Sequence, residues 1–398
     1  MSKNNAMETN LPLPKQFGTE LLVIRQGDGV WLEDSAGKKY LDFAGGIAVN
    51  ALGYAREDIA RVVYEQMKKL PHISNVFANE PALALGRVMI ASGAFGAVHF
   101  GNSGSEANEA ALKYARLYAQ RTRGKGHERF LCFENAFHGR TMGALSVTPN
   151  PKYQEPFAPL VPGVSVSPFN DAESLGRILD GSFAAVIVEV VQGEGGLAVM
   201  SREFAEALNR LCRKHDVMLI ADEVQTGLGR TGTFYASEGA GLKPDIITLA
   251  KPLAGGLPLS ATLIPAKIND ILHPGDHGTT FGGGPVTTAV AGRVWSIVSD
   301  PEFLKGVRRR GEILKAALEG LKAVSPRVGE LRGRGMLQGF EYMQAPGGPD
   351  VPGLLTLLRE KGLLLLRSGA NVIRIAPPLV IEEKEILHGM EIIREVLQ

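Results

Sequence analysis

Lys251 stands at the end of a short apolar run, Ile246-Ile-Thr-Leu-Ala250, and is followed at once by Pro252. An amine held at the half-buried end of a strand loses proton affinity through desolvation, which is what a nucleophilic, imine-forming lysine needs. Alone, such a lysine would lay its stem along apolar surface and keep its charge in water. Its company argues otherwise. An earlier apolar run, Val217-Met-Leu-Ile-Ala221, ends in Asp222 and Glu223. Ligands of open α/β sheets sit beyond the carboxyl ends of the strands, and neighbouring parallel strands would bring Asp222 and Lys251 to one rim.

Three further segments carry recognition chemistry. Gly101-Asn-Ser-Gly-Ser105-Glu106 precedes a helical pattern marked by Ala107, Ala110, Ala111, Tyr114 and Tyr118. Ser103 and Glu106 fit a capping box. The small residues leave the N–H groups of a helix start open to a phosphate. Phe137-His138-Gly139-Arg140 sets an aromatic face, an imidazole and a guanidinium side by side, suited to stacking on a planar ring and to gripping a carboxylate. In Val372-Ile-Arg-Ile-Ala376 the period of two puts Arg374 opposite Ile373 and Ile375. Facing inward, it needs an anion.

The elements that must position these groups follow from periodicity. Short apolar runs at 129–133, 184–190, 217–221, 246–250 and 260–264 are too short for helices, and helical segments such as 202–215 separate some of them. Helical spacing also marks 57–70 and 81–92. This alternation predicts a buried, mainly parallel sheet covered on both faces. Upstream, strands are expected at 20–25, 29–34 and 39–43, with the first turn at 26–29, after a poorly ordered stretch at 1–20. Downstream come helices at 286–298 and 302–324, strands near 336–342, 363–366 and 372–375, and a last helix at 382–397. A chain of 398 residues suits two domains. The expected division is an N-terminal segment, 1–54, packing with the small domain; a large ligand-binding α/β domain, 55–285; and a smaller α+β domain, 286–398.

With 43 basic and 42 acidic residues the net charge is +1, so no nucleic acid or membrane partner is expected. No apolar run is long enough to span a bilayer, and no export signal is expected at the N-terminus. Two cysteines, Cys132 and Cys212, cannot build a disulfide framework, which favours a cytoplasmic setting. Gly227-Leu-Gly-Arg-Thr-Gly232 matches a dinucleotide fingerprint literally, but no strand leads directly into it and no amphipathic helix follows. Gly101–Ser105 lacks the closing glycine of a nucleophile elbow. His273 and His277 lie among prolines and glycines that forbid a metal-binding helix, so no metal is expected.

In chain order these pieces resemble the class-III, fold-type-I pyridoxal-phosphate aminotransferases, and most closely the acetylornithine subgroup. The stretches that carry the resemblance run from Gly46-Ile-Ala-Val-Asn-Ala-Leu-Gly53 through 102–108, 137–141 and 144–148. They continue with Gln192-Gly-Glu194-Gly-Gly, Asp222-Glu-Val-Gln225-Thr-Gly, Ala250-Lys251, His277-Gly-Thr-Thr280-Phe-Gly-Gly and 372–379. The resemblance implies a large domain with a mainly parallel seven-stranded sheet, a smaller α+β domain and pyridoxal 5'-phosphate as cofactor. It implies that Lys251 holds the cofactor as a Schiff base and that Asp222 pairs with its pyridine nitrogen. Phe137 stacks on the ring beside His138, while Ser103, Gly104 and Ser105 hold the phosphate. Gln225 lies near the phenolic oxygen, and Glu189 supports the cofactor side. Arg140 and Arg374 take substrate carboxylates, and Glu194 pairs with Arg374 when no dicarboxylate is bound. A homodimer is implied, with Thr280 reaching the partner's phosphate.

The implied reaction moves the ω-amino group of a donor such as N2-acetylornithine to 2-oxoglutarate. Other ω-amino donors (succinylornithine, ornithine, 4-aminobutyrate, a lysine-pathway semialdehyde) and an aminomutase on the same fold remain alternatives. The chain departs from the family pattern at Val190, Pro252, Gly284 and Arg367. Pro252 is expected to restrict Lys251 to extended backbone angles.

Overall fold

The computed structural model describes residues 14, 16 and 21–398. The poorly ordered stretch expected at 1–20, and the start of the first expected strand, fall largely outside those residues.

Seven strands form the main sheet: β4 (Ala97–Gly101), β5 (Arg129–Phe133), β6 (Val164–Ser167), β7 (Phe183–Glu189), β8 (Met218–Asp222), β9 (Ile246–Leu249) and β10 (Ser260–Ile264), in the order β4-β10-β9-β8-β7-β5-β6. The pairings from β9 through β8, β7 and β5 to β6 are all parallel. β10 alone runs against its neighbours β9 and β4. Both faces are buried, as the apolar runs require. Alternate residues go to opposite cores: Leu131, Phe133, Val186, Val188, Leu219 and Ala221 to one, Phe130, Cys132, Ala185, Ile187, Met218 and Ile220 to the other. Each large side chain so buried stabilises the fold by about 1.5–3 kcal/mol relative to exposure.

Helix Arg202–His215 shows how local sequence fixes a covering element. Ser201 Oγ accepts from the N–H of Phe204 at 3.1 Å, closing the N-terminus. Phe204, Ala205, Leu208, Leu211 and Cys212 recur at helical spacing and are buried. Asp216 ends the helix at φ 51°.

The N-terminal strands β1 (Ile24–Asp28), β2 (Trp31–Asp34) and β3 (Lys39–Asp42) form an antiparallel meander. Its first turn lies later than expected, at Gly29-Val30, where Gly29 has φ +56°. β3 continues in parallel pairing onto β13 (Leu363–Leu364). A third sheet takes the order β11-β12-β15-β14, from β11 (Val328–Arg334), β12 (Leu337–Tyr342), β14 (Leu366–Ser368) and β15 (Val372–Ile375), all antiparallel. Val30, Leu41 and Phe43 share one core with Leu314, Phe340, Leu363 and Ile375. The fold is therefore a large, mainly parallel seven-stranded sheet unit with a smaller antiparallel one completed by the chain's beginning. The periodicity reading omitted β4, β6, β11 and helix Val351–Glu360, and took 363–366 as one strand where the chain divides between two sheets. Among the described residues no helix is long and apolar enough to cross a membrane.

Candidate active site

The register of the main sheet builds the site. β7 and β8 pair Glu189 with Asp222, and β8 and β9 pair Asp222 with Thr248. The two carboxylates therefore stand at one rim, where β9 delivers Lys251 just beyond its end. A cavity of about 360 Å³ opens there, lined by Ser103, Gly104, Ser105, Phe137, His138, Glu189, Glu194, Asp222, Gln225 and Lys251. These ten are site residues that the sequence singled out; Asn108 also lines the cavity and was not among them.

Lys251 does not adopt the extended backbone expected from Pro252. Its φ is +30°, and residues Lys251–Ala254 form a single 3-10 turn closed by the Leu253 N–H on the Ala250 carbonyl at 2.8 Å. Turn closure overrides the pre-proline preference and holds the lysine in a region that L residues rarely adopt, a strain typical of functional positions. The side chain keeps partial exposure into the cavity. Burial among protein atoms, assisted by the Arg374 charge, brings its amine down to about 8, against the pull of Glu194, Asp222 and Glu189.

Asp222 is held on both oxygens. Oδ2 accepts from Asn108 Nδ2 at 2.8 Å and pairs with His138 Nδ1 at 2.7 Å, while Oδ1 accepts from the Val224 N–H at 3.0 Å. Asn108 also donates to the His138 carbonyl and accepts from the Thr248 hydroxyl at 2.8 Å. His138 Nε2 is buried without a partner among the described residues. Burial pushes the Glu189 carboxyl up to about 7. His138 and the N–H groups of Phe137 and Gly193 counter the rise, and Asp222 adds to it. Asn108 and Thr248 escaped the sequence reading. The available signal was an asparagine on the buried face of a helix otherwise packed with Ala107, Ala110 and Ala111.

Helix Gly104–Arg123 begins at the cavity. Ser103 Oγ accepts from the Glu106 N–H at 3.2 Å. The expected box is only half formed, because Glu106 Oε2 reaches one residue further back, to the Asn102 N–H and amide. The N–H groups of Gly104 and Ser105 meet no acceptor among the described residues. Gly104 is required by packing, since a Cβ there would lie 2.6 Å from Val224 Cγ1.

Arg374 is buried, and its Nη1 meets Glu194 Oε1 at 2.5 Å and the Gly193 carbonyl at 2.8 Å. Glu194 keeps about a third of its side chain exposed (32%), so one partner is fixed and the other has room to move. Three expected residues lie outside the cavity lining: Arg374, which reaches its edge through Glu194, and the exposed Arg140 and Thr280. Arg140 is exposed, its guanidinium 3.7 Å from the centre of the Tyr153 ring. Thr280 is exposed in the loop before helix Pro285–Val298. The fingerprint-like loop Gly227–Gly232 lines neither this cavity nor the second one that adjoins it. Arg230 fills the loop, fully buried and donating to the carbonyls of Met336 and Pro377.

Residues 14–397 match the family described as aminotransferase class-III. The chain belongs to the class-III aminotransferases. An acetylornithine/succinyldiaminopimelate aminotransferase of Photorhabdus laumondii is 41% identical, over 100% of this chain and 98% of that protein. A succinylornithine transaminase of Salmonella typhimurium is 43% identical, over 92% of this chain and 90% of its own length. Among solved structures, the ornithine aminotransferase of Toxoplasma gondii superposes with a TM-score of 0.90 at 31% identity, over 94% of this chain and 90% of that one. As in other class-III aminotransferases the cofactor is pyridoxal phosphate, and the cavity suits it: a lowered amine, a firmly held carboxylate, an aromatic ring and an unpartnered helix start converge on one space.

Proposed function

We propose that this aminotransferase moves the ω-amino group of an N2-acylated ornithine to 2-oxoglutarate, in an amino-acid biosynthetic route of the arginine type. The observation that carries the reading is the Arg374–Glu194 pair at the cavity edge. In glutamate the reacting carbon bears a carboxylate. In an ω-amino donor it bears none. One site serves both only if its arginine can be neutralised in the absence of that carboxylate, and Glu194 is placed to do so.

In this reading Ser103, Gly104 and Ser105 receive the cofactor's phosphate at the helix start. Phe137 offers its ring face, and His138, Glu189 and Gln225 complete the lining. Asp222, held in place by Asn108 and His138, would face the pyridine nitrogen and favour its protonated form. Pyridoxal phosphate, when bound, supplies a carbonyl for amine capture and a ring that withdraws electrons from the substrate carbon. Lys251 is the covalent attachment point. Its amine, once free of the cofactor, would be the base that takes the proton from the substrate carbon and returns it. Arg140 leaves the Tyr153 face to bind the carboxylate at the far end of the substrate.

The proposal includes a homodimer in which Thr280 serves the partner's phosphate site. Val76, Phe77 and Phe281, exposed at 81%, 65% and 66%, support it as apolar surface without cover in one chain. It also includes the division at 54/55 and 285/286 and a cytoplasmic setting, in line with two free cysteines. Cell fractionation checks the last. The function itself is tested by single-turnover loss of the bound cofactor's absorbance. N2-acylornithines and glutamate should each discharge it, and a protein that reacts with glutamate but with no ω-amino donor would sink the proposal.

A further inference from the structure

A second cavity, of about 750 Å³, adjoins the first and shares Phe137 and Glu194 with it. Its charge is one-sided. Lys152, Arg332 and Arg367 line it, and its one carboxylate, Glu194, is already engaged by Arg374. Arg332 is tied to Glu330 at 2.7 Å. Lys152 and Arg367 are exposed and have no carboxylate partner among the described residues. Cations left unmatched along a concave wall hold a positive potential and draw an anion.

Arg367 is not a loose surface residue. It sits on β14, whose pairing with β15 sets Leu366 opposite Arg374, so Arg367 is one position from the rung that carries the Glu194 partner. The next residue, Ser368, donates to the Gly193 carbonyl at 2.8 Å and accepts from the Gly196 N–H at 2.9 Å. The Gly369 N–H donates to the Glu194 carbonyl at 2.9 Å. The strand bearing Arg367 is thus fastened to the loop bearing Glu194. Phe137 and Glu194 are common to both cavities, so a donor with its reacting amine at Lys251 can extend its other end past them into the second.

We infer that Arg367, with Lys152 beside the same cavity, binds a carboxylate at the end of the donor's N-acyl arm, so that this enzyme prefers an N2-succinyl over an N2-acetyl donor. The inference rests on the ω-amino donor reading above and narrows it. An acetyl arm ends in a methyl group and gains nothing from the guanidinium. A succinyl arm ends in a carboxylate and gains a charge-assisted, bidentate contact. The contact lies away from the reacting carbon and is equal in ground and transition states, so it acts on KM rather than kcat.

The test is steady-state kinetics of wild type, Arg367→Gln and Arg367→Lys with N2-succinylornithine and N2-acetylornithine. The wild type should show the higher kcat/KM with the succinyl donor. Arg367→Gln should lose about tenfold or more of that value, mostly in KM, while the acetyl donor stays within about twofold. Arg367→Lys should recover part of the loss because the charge is kept. An equal loss for both donors, an unchanged ratio, or a wild-type preference for the acetyl donor overturns the subsite and leaves the donor reading standing. A wild type that turns over neither donor overturns both.

Discussion

Glu194→Gln is the substitution that most directly tests the two-substrate logic of this site. The glutamine keeps the size of the side chain and its hydrogen bond to Arg374 but removes the charge. Arg374 is almost wholly enclosed, with 4% of its side chain exposed, so it has little water to replace the lost carboxylate. A hydrogen bond to a charged group contributes about 1.5–3 kcal/mol. Glu194 is about one-third exposed, which places its contribution toward the lower end. The Gly193 carbonyl at 2.8 Å remains as a neutral acceptor. When an ω-amino donor binds, the guanidinium is left without an anion, and that half-reaction should slow by roughly tenfold. When glutamate binds, its own carboxylate meets Arg374 and no longer displaces Glu194, so that half-reaction should hold or improve. The assay is stopped-flow absorbance of the bound cofactor, with each substrate alone over a concentration range. The informative quantity is the ratio of the two second-order rate constants. If Glu194→Gln lowers both in equal proportion, the switch is refuted and Glu194 is only part of the scaffold.

Capture of pyridoxal phosphate by the cofactor-free protein should quicken with pH around a midpoint near 8, because Lys251 must shed its proton first. The sign for stability follows from the same shift. The folded state releases this proton near 8 and the unfolded chain near 10.5, so the contribution of Lys251 to stability rises with pH between the two. A capture midpoint at the ordinary lysine value would refute it, and borohydride reduction followed by peptide mass mapping should place the label on Lys251 alone. Light scattering should report about twice the chain mass of 42.6 kDa. Thr280→Ala should raise the cofactor's dissociation constant about tenfold through loss of one hydrogen bond to a charged phosphate. A monomer that retains full cofactor affinity would contradict the shared site.

The residues whose chemistry is local were legible before any fold was known. Lys251 and Asp222 each follow an apolar run that can only be a buried strand, and a buried strand that ends in an ionisable group announces a rim. Helix Arg202–His215 was read to the residue because cap, apolar period and stop are all written into the same short segment. Groups whose purpose depends on partners distant in sequence were not legible. Asn108 is one more helical residue until β8 brings Asp222 beside it. β11 carries a weak local pattern, and the chain at 363–368 serves two sheets, which no period of two reveals; helix Val351–Glu360 went unread although Asp350 caps it and Val351, Leu354 and Leu358 keep helical spacing.

Sequence alone determined the types of group present, their order, and the alternation of buried strands with helices, because these depend on neighbours a few positions apart. It also determined that Arg374, if its face of the strand turned inward, would require an anion. The family resemblance named Glu194 as that anion, but no local pattern could, since Glu194 arrives from a loop 180 positions away. Only the tertiary structure decided that Lys251 sits at φ +30° rather than extended, because turn closure outweighs a dipeptide preference. It left Arg140 on Tyr153 and Thr280 outside the cavity, and it set Arg367 against a second, cationic space. Distances between chemical groups are set by packing summed over the whole chain, and a local pattern carries no information about that sum.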